Sequence, residues 1–213
     1  MVGKRLCLTL EIERMKDSKV LIVIPTVQIH QWNLMKTLYT LLKNTRDFEY
    51  DLLLVKNNFR GFAKAVNKGL KIVKDNKVYG GCVLLNDDVI INDKIWLDRL
   101  IKAPGDIIGC QGALKICYIP FWCVYIKRKV IEKIGLLDEQ FLIGEWEDTD
   151  YCIRAIEAGF KVRESSCKIE HKVGGTLNRL DLKKKLLIQK NRQLFLKKYK
   201  STKWAVIFKE ENY

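Results

Sequence analysis

Three groups of side chains in this 213-residue chain have the types and spacing for chemistry. The first is Asn86-Asp87-Asp88, set between the apolar pairs Leu84-Leu85 and Val89-Ile90. Polar oxygens at the end of a buried strand face the crevice in which open α/β sheets bind ligands. Hard oxygen donors there suit Mg²⁺ or Mn²⁺, which one or two carboxylates hold together with substrate phosphates. The plainer alternative is an Asx-rich turn capping the next element. The second group is Glu145-Trp146-Glu147-Asp148-Thr149-Asp150, preceded by Asp138-Glu139-Gln140-Phe141. Acids in a first helical turn are favoured by the helix dipole, which accounts for Asp148 and Asp150. It does not account for Glu145, Trp146 and Glu147 immediately before them. The same dipole favours an ionised Asp148, the state a general base needs. The third is a lone His171, which taken singly reads as a hydrogen-bonded structural residue.

The elements that must carry these groups alternate. Val20–Pro25 is a continuous β-branched run, the mark of a strand buried on both faces. Trp32, Leu34, Leu38, Leu41 and Leu42 then recur at helical spacing, and Asp51–Val55 predicts a second buried strand. Phe62, Val66, Leu70 and Val73 predict a helix, Gly81–Leu85 a third strand, and residues 93–101 a further helix. This alternation implies a mostly parallel sheet with helices on both faces. Downstream, 106–110 and 116–126 read as strands, 127–134 as a short helix, and 149–158 as a helix capped by Asp148 or Thr149 and stopped by Gly159. Residues 160–164 and 168–172 look strand-like, and a basic helix over 179–200 precedes the apolar tail Trp204–Phe208.

The chain is 48% hydrophobic and has three prolines and no linker-like stretch, so one domain with a substantial core is expected over 1–213. An α/β half over about 20–110 could bind a nucleotide, and an α+β half over about 111–178 follows. A net charge of +14 favours anionic partners: phosphorylated small molecules, acidic lipid or nucleic acid. No nucleic-acid signature supports the last of these. Seven scattered cysteines without a C-x-x-C pair read as buried apolar residues in a reducing compartment, so a cytoplasmic protein is expected. No secretory signal or membrane-spanning run is visible. Residues 179–200 carry nine Lys or Arg against one Asp, with Leu180, Leu187 and Leu194 at heptad spacing. They read as a helix packed on the domain with solvated lysines, or as an amphipathic helix on an anionic membrane surface.

The order of the motifs is more specific than any one of them. Gly61–Gly69, Asn86-Asp87-Asp88 after the third strand, Asp138-Glu139-x-Phe141, Glu147-Asp148-x-Asp150 with Arg154, Gly159 and then His171 resemble the large inverting family of nucleotide-sugar glycosyltransferases, family 2. The resemblance runs from about Val20 to Asn191. It implies the GT-A fold and a metal-dependent transfer of sugar from a nucleotide-diphosphate donor of UDP, dTDP or GDP type. The acceptor hydroxyl would belong to a saccharide, a lipid-linked or a protein acceptor. Asp88 and His171 are then expected at Mn²⁺ or Mg²⁺, and Asp148 as the catalytic base. Pro25, Thr26, Asn58, Asn67, Asn86 and Asp87 are expected on the donor, and Glu145, Trp146 and Glu147 at the acceptor, which makes about 111–178 the acceptor and catalytic half. Two departures stand out: Lys56-Asn57-Asn58 replaces the family's Asp-Asn-x-Ser turn, and the metal motif opens with Asn86 instead of Asp. A nucleotidyltransferase would share the acidic metal site, but no glycine-rich phosphate loop follows the first strand. A GT-A module that binds without catalysing is the other alternative.

Overall fold

The computed structural model describes residues 19–27, 32–46, 48–57, 61–171 and 182–209, with backbone alone at 182–184. The first half alternates as its periodicity predicts: β1 (Lys19–Thr26), α1 (Trp32–Asn44), β2 (Tyr50–Lys56), α2 (Phe62–Asp75), β3 (Tyr79–Leu85), the short β4 (Val89–Ile90) and α3 (Trp96–Lys102). The second half adds β5 (Ile107–Gly109), β6 (Cys123–Lys127), α4 (Arg128–Ile134), α5 (Glu147–Glu157), β7 (Val162–Glu164), β8 (Glu170–His171), α6 (Leu182–Lys198) and α7 (Lys203–Lys209).

Six strands form one sheet in the order β2-β1-β3-β6-β5-β7, and β4 pairs with β8 in a separate two-stranded ladder. Strands β1, β2 and β3 are parallel, β6 is antiparallel to β3 and β5, and β7 runs parallel to β5. Five strands therefore point one way and β6 alone is reversed. Alternate β1 residues feed two cores, one on each face of the sheet. Leu21 and Val23 pack with Val66, Leu70, Tyr151 and Phe195, while Val20, Ile22 and Ile24 pack with Leu34, Leu41, Trp96 and Leu100. A Cβ added at Gly69 would collide with the Val23 side chain, so only glycine lets α2 lie this close to β1.

Several local expectations change. Only Val55 is buried in β2, because that strand is the sheet edge and pairs on one side alone. Leu34 and Leu41 of α1 are buried, but Trp32 and Leu42 face solvent. Most of 116–126 is loop, and β6 begins only at Cys123. Helix α5 starts two residues early: Trp146 occupies its cap position with φ 77°, and no side chain caps it. The apolar tail is the helix α7.

Candidate active site

The carboxyl ends of β1 and β3, neighbours in the sheet, carry Pro25 and Thr26 on one side and Asn86-Asp87-Asp88 on the other. Thr26 hydrogen-bonds the Asp87 carboxylate. Burial raises the Asp87 carboxyl above its ordinary value and the charge of Asp88 adds to this, with the Thr26 bond opposing both. At the end of β2, the Asn57 N–H donates to the Thr26 carbonyl at 2.7 Å. The buried Asn57 Oδ1 has no hydrogen-bond partner among the described residues. Asn58 lies outside the described residues.

The β4–β8 ladder pairs Val89 with His171 and so brings the imidazole to the metal-type motif. His171 Nε2 stands 3.2 Å from Asp88 Oδ1 and 3.5 Å from the Asn86 amide. Asp88 Oδ1 has no hydrogen-bond partner among the described residues, so the two atoms are close without being aligned as donor and acceptor. Two adjacent ligands of a cation bound at about 2.1 Å would sit about 3 Å apart, and this pair fits that spacing. Among the described residues no three His, Cys, Asp or Glu side chains converge as a metal cage. A cation held by this pair would have to take its remaining ligands from phosphate and water, as Mg²⁺ and Mn²⁺ commonly do. The Trp122 ring stacks on His171 with centroids 4.9 Å apart and planes 4° from parallel, fixing the imidazole plane.

The acidic segment is reached through the same stretch of chain. The Trp122 carbonyl accepts the Asn86 N–H at 2.8 Å, and the neighbouring Phe121 backbone hydrogen-bonds Asp148. Two consecutive residues thus tie the Asp88–His171 pair to the start of α5. Asp148 Oδ1 also accepts the Thr149 N–H at 2.7 Å. Burial, with the Glu145 charge adding, pushes the Asp148 carboxyl up to about 6 against these hydrogen bonds. At that value the carboxyl is still mostly ionised at neutral pH, the state a general base needs, although burial lifts it above the usual carboxylate range. Glu147 is buried, its Oε2 has no partner among the described residues, and its carboxyl is raised well above its ordinary value by burial and then by Asp148. Burial also raises Glu145.

The loop carrying these acids is strained. Ile143, Glu145 and Trp146 all have φ between 71° and 77°, a region where each non-glycine residue costs on the order of 1–3 kcal/mol. Asn191 of α6 holds it: its Oδ1 accepts the Leu142 N–H at 3.0 Å, and its Nδ2 donates to the carbonyls of Leu142, Gly144 and Glu145. Next to it, Asp150 is fully buried and bound by Arg154, Lys198 and Tyr199. The buried face of α6, Asn191, Phe195 and Tyr199, thus packs on the domain.

Three expected contact residues, Asn67, Trp146 and Glu147, lie buried. Asn67 is 2% exposed, and its amide bonds the Leu137 N–H and carbonyl and the Glu139 carboxylate, so it braces the Asp138 turn instead of facing a donor. Trp146 is buried against Phe195 and Phe208 and anchors the loop from inside instead of lining an acceptor pocket. Glu147 is likewise buried beneath the loop, while Glu145 keeps partial exposure. Asn57, Phe121, Trp122 and Asn191 were missed. An Asn after a strand and a Phe-Trp pair before another were the visible signals, but their targets are remote in sequence.

The mostly parallel six-stranded sheet flanked by helices matches the fold of GT-A glycosyltransferases. The catalytic domain of Drosophila β1,4-galactosyltransferase 7, solved with xylobiose, superposes with a TM-score of 0.59 at 13% identity, over 80% of this chain and 79% of that one. A mutant of the same enzyme, solved with manganese, UDP-Gal and xylobiose, gives 0.58 at 13% identity over the same shares. The protein A197 from STIV gives 0.51 at 20% identity, over 73% of this chain and 86% of that one. The sequence matches no family model and no curated protein.

Proposed function

We propose that the protein is a glycosyltransferase that moves a sugar from a nucleotide-diphosphate donor to an acceptor hydroxyl, by single displacement with inversion. The observation that carries this reading is the Phe121–Trp122 link: Trp122 bonds the Asn86 backbone and stacks on His171, and Phe121 bonds Asp148, a carboxylate of raised pKa. The likeness to a galactosyltransferase solved with manganese, UDP-Gal and xylobiose supports a nucleotide-sugar donor and a saccharide acceptor.

Each group has a task in that reaction. Asp148, at about 6, is mostly ionised at neutral pH yet basic enough to take the acceptor proton. Thr149 and the Phe121 backbone orient its carboxylate, and burial disfavours charge on the neighbouring Glu147. A divalent cation at Asp88 and His171 would neutralise charge on the departing diphosphate, a contribution of several kcal/mol. Thr26, Asn86 and Asp87 line the donor side, and the Asn57 amide offers the donor and acceptor needed to read a nucleobase edge.

The test is to incubate the protein with Mn²⁺ and UDP-, dTDP- or GDP-sugars and follow release of the nucleotide diphosphate, with and without saccharide acceptors. Metal-dependent release supports the reading. Consumption of a nucleoside triphosphate and a sugar phosphate instead would mark a nucleotidyltransferase, and no turnover of any donor would mark a binding module.

A further inference from the structure

Helix α1 is apolar on two opposite faces. Leu34, Thr37, Leu41 and Asn44 are buried, as a helix covering a sheet requires. On the other face Trp32, Met35, Tyr39 and Leu42 recur at i, i+3, i+7 and i+10 and are 72%, 54%, 63% and 57% exposed. Single exposed apolar residues are ordinary; a stripe of four large ones along three turns marks a contact surface.

Its charges select the partner. Lys36 Nζ lies 5.1 Å from the Trp32 ring and Lys43 Nζ 5.8 Å from the Tyr39 ring, and Arg46 is exposed just beyond. Residues 32–46 contain no acid, and the whole chain carries +14. A second copy docking through the same stripe would bring these cations against their equivalents, because a two-fold interface is self-complementary. Trp and Tyr are the side chains that settle at the headgroup level of a bilayer, with Met and Leu reaching the acyl boundary and Lys meeting anionic headgroups.

We infer that the Trp32–Met35–Tyr39–Leu42 face of α1 docks the protein on an anionic lipid bilayer. The helix is fixed to the site: Thr37 donates to the Val89 carbonyl at 2.8 Å and Asn44 to the Ile91 carbonyl at 2.7 Å, on the chain that follows Asp88. The membrane face therefore lies on the outer side of the element that backs the Asp88 loop. No helix among the described residues is long or apolar enough to cross a membrane, so the attachment is peripheral.

The full chain is floated with vesicles of phosphatidylcholine alone or mixed with phosphatidylglycerol, at low and high salt. Three forms are compared: wild type, Trp32→Ser/Tyr39→Ser on α1, and Lys185→Ser/Lys190→Ser on the exposed side of α6, with thermal melts to establish folding. Wild type should bind the anionic vesicles more weakly as salt rises and leave neutral vesicles unbound. The α1 variant should lose roughly ten-fold or more in partitioning, because two interfacial aromatics are gone, while the α6 variant keeps most of it. Equal binding by wild type and the α1 variant, or no binding at low salt, would overturn the inference. So would sedimentation showing a wild-type dimer without lipid that Trp32→Ser/Tyr39→Ser dissociates, since the stripe would then meet a second copy.

Discussion

Replacing Asp148 by Asn separates what this carboxylate does for the reaction from what it costs the fold. The amide keeps the size and keeps an oxygen for the Thr149 N–H now bonded at 2.7 Å, but it cannot take a proton. A positioned base contributes a factor of ~10²–10⁴, so kcat should fall by that much while donor affinity stays near wild type. Stability should move the other way. The Asp148 carboxyl sits at about 6 against an ordinary 3.8, so its ionised form is disfavoured in the folded protein. That gap corresponds to about 3 kcal/mol at most, and partial exposure and coupling to Glu147 bring the expected effect to about 1–3 kcal/mol. A carboxyl raised by folding carries no penalty below its unfolded value. The penalty grows as pH climbs from about 4 to about 6 and is constant above. Asp148→Asn should therefore raise Tm at pH 8 by roughly 2–10 °C, with the gain about halved at pH 5 and gone below about pH 4. Calorimetry at the two pH values and initial-rate transfer assays read both halves. Glu147→Gln, which keeps the size of a side chain whose charge burial already disfavours, should lose far less activity. Wild-type transfer by Asp148→Asn would refute the assignment of the base, and an unchanged Tm at pH 8 would refute the claim that burial holds its pKa up.

Three further outcomes are expected. The pH profile of kcat/KM should fall with unit slope below about 6, where Asp148 becomes protonated, and lie flat above; a limb near 4 would mean that the charge around it is relieved. Asp88→Asn and His171→Ala should each abolish the extra thermal stabilisation that a nucleotide diphosphate gives in Mn²⁺ relative to EDTA, and equal stabilisation of wild type in both conditions would remove the cation from the site. Asn191→Ala leaves the Leu142, Gly144 and Glu145 backbone bonds unmade, so it should cost about 1–3 kcal/mol in denaturant unfolding and lower kcat with little change in donor KM.

Local pattern carried much of this protein. The β-branched run at Val20–Pro25, the helical spacing of Phe62, Val66, Leu70 and Val73, and the polar break at Asn86–Asp88 each report a periodicity or its interruption within one element. Those signals suffice for a mostly parallel sheet with carboxylates at its carboxyl edge. They are blind to which strand lies outermost: Asp51–Val55 reads as fully buried, yet β2 has a neighbour on one side only. Likewise α1 shows apolar residues at helical spacing, but only packing decides that Leu34 and Leu41 face the sheet while Trp32 and Leu42 face out.

The site depended still more on tertiary structure. His171 reaches Asp88 because β8 pairs with β4, Asn191 reaches the strained acidic loop from a helix far downstream, and Trp122 aligns the imidazole from an intervening loop. Sequence supplied the acids of the 145–150 segment and their place before a helix, and the helix dipole pointed to an ionised Asp148 without a value. The actual value follows from burial and from the charge of Glu145 beside it. Residue type and spacing fix what a side chain is able to do, whereas its desolvation and its charged neighbours exist only once distant segments have packed around it.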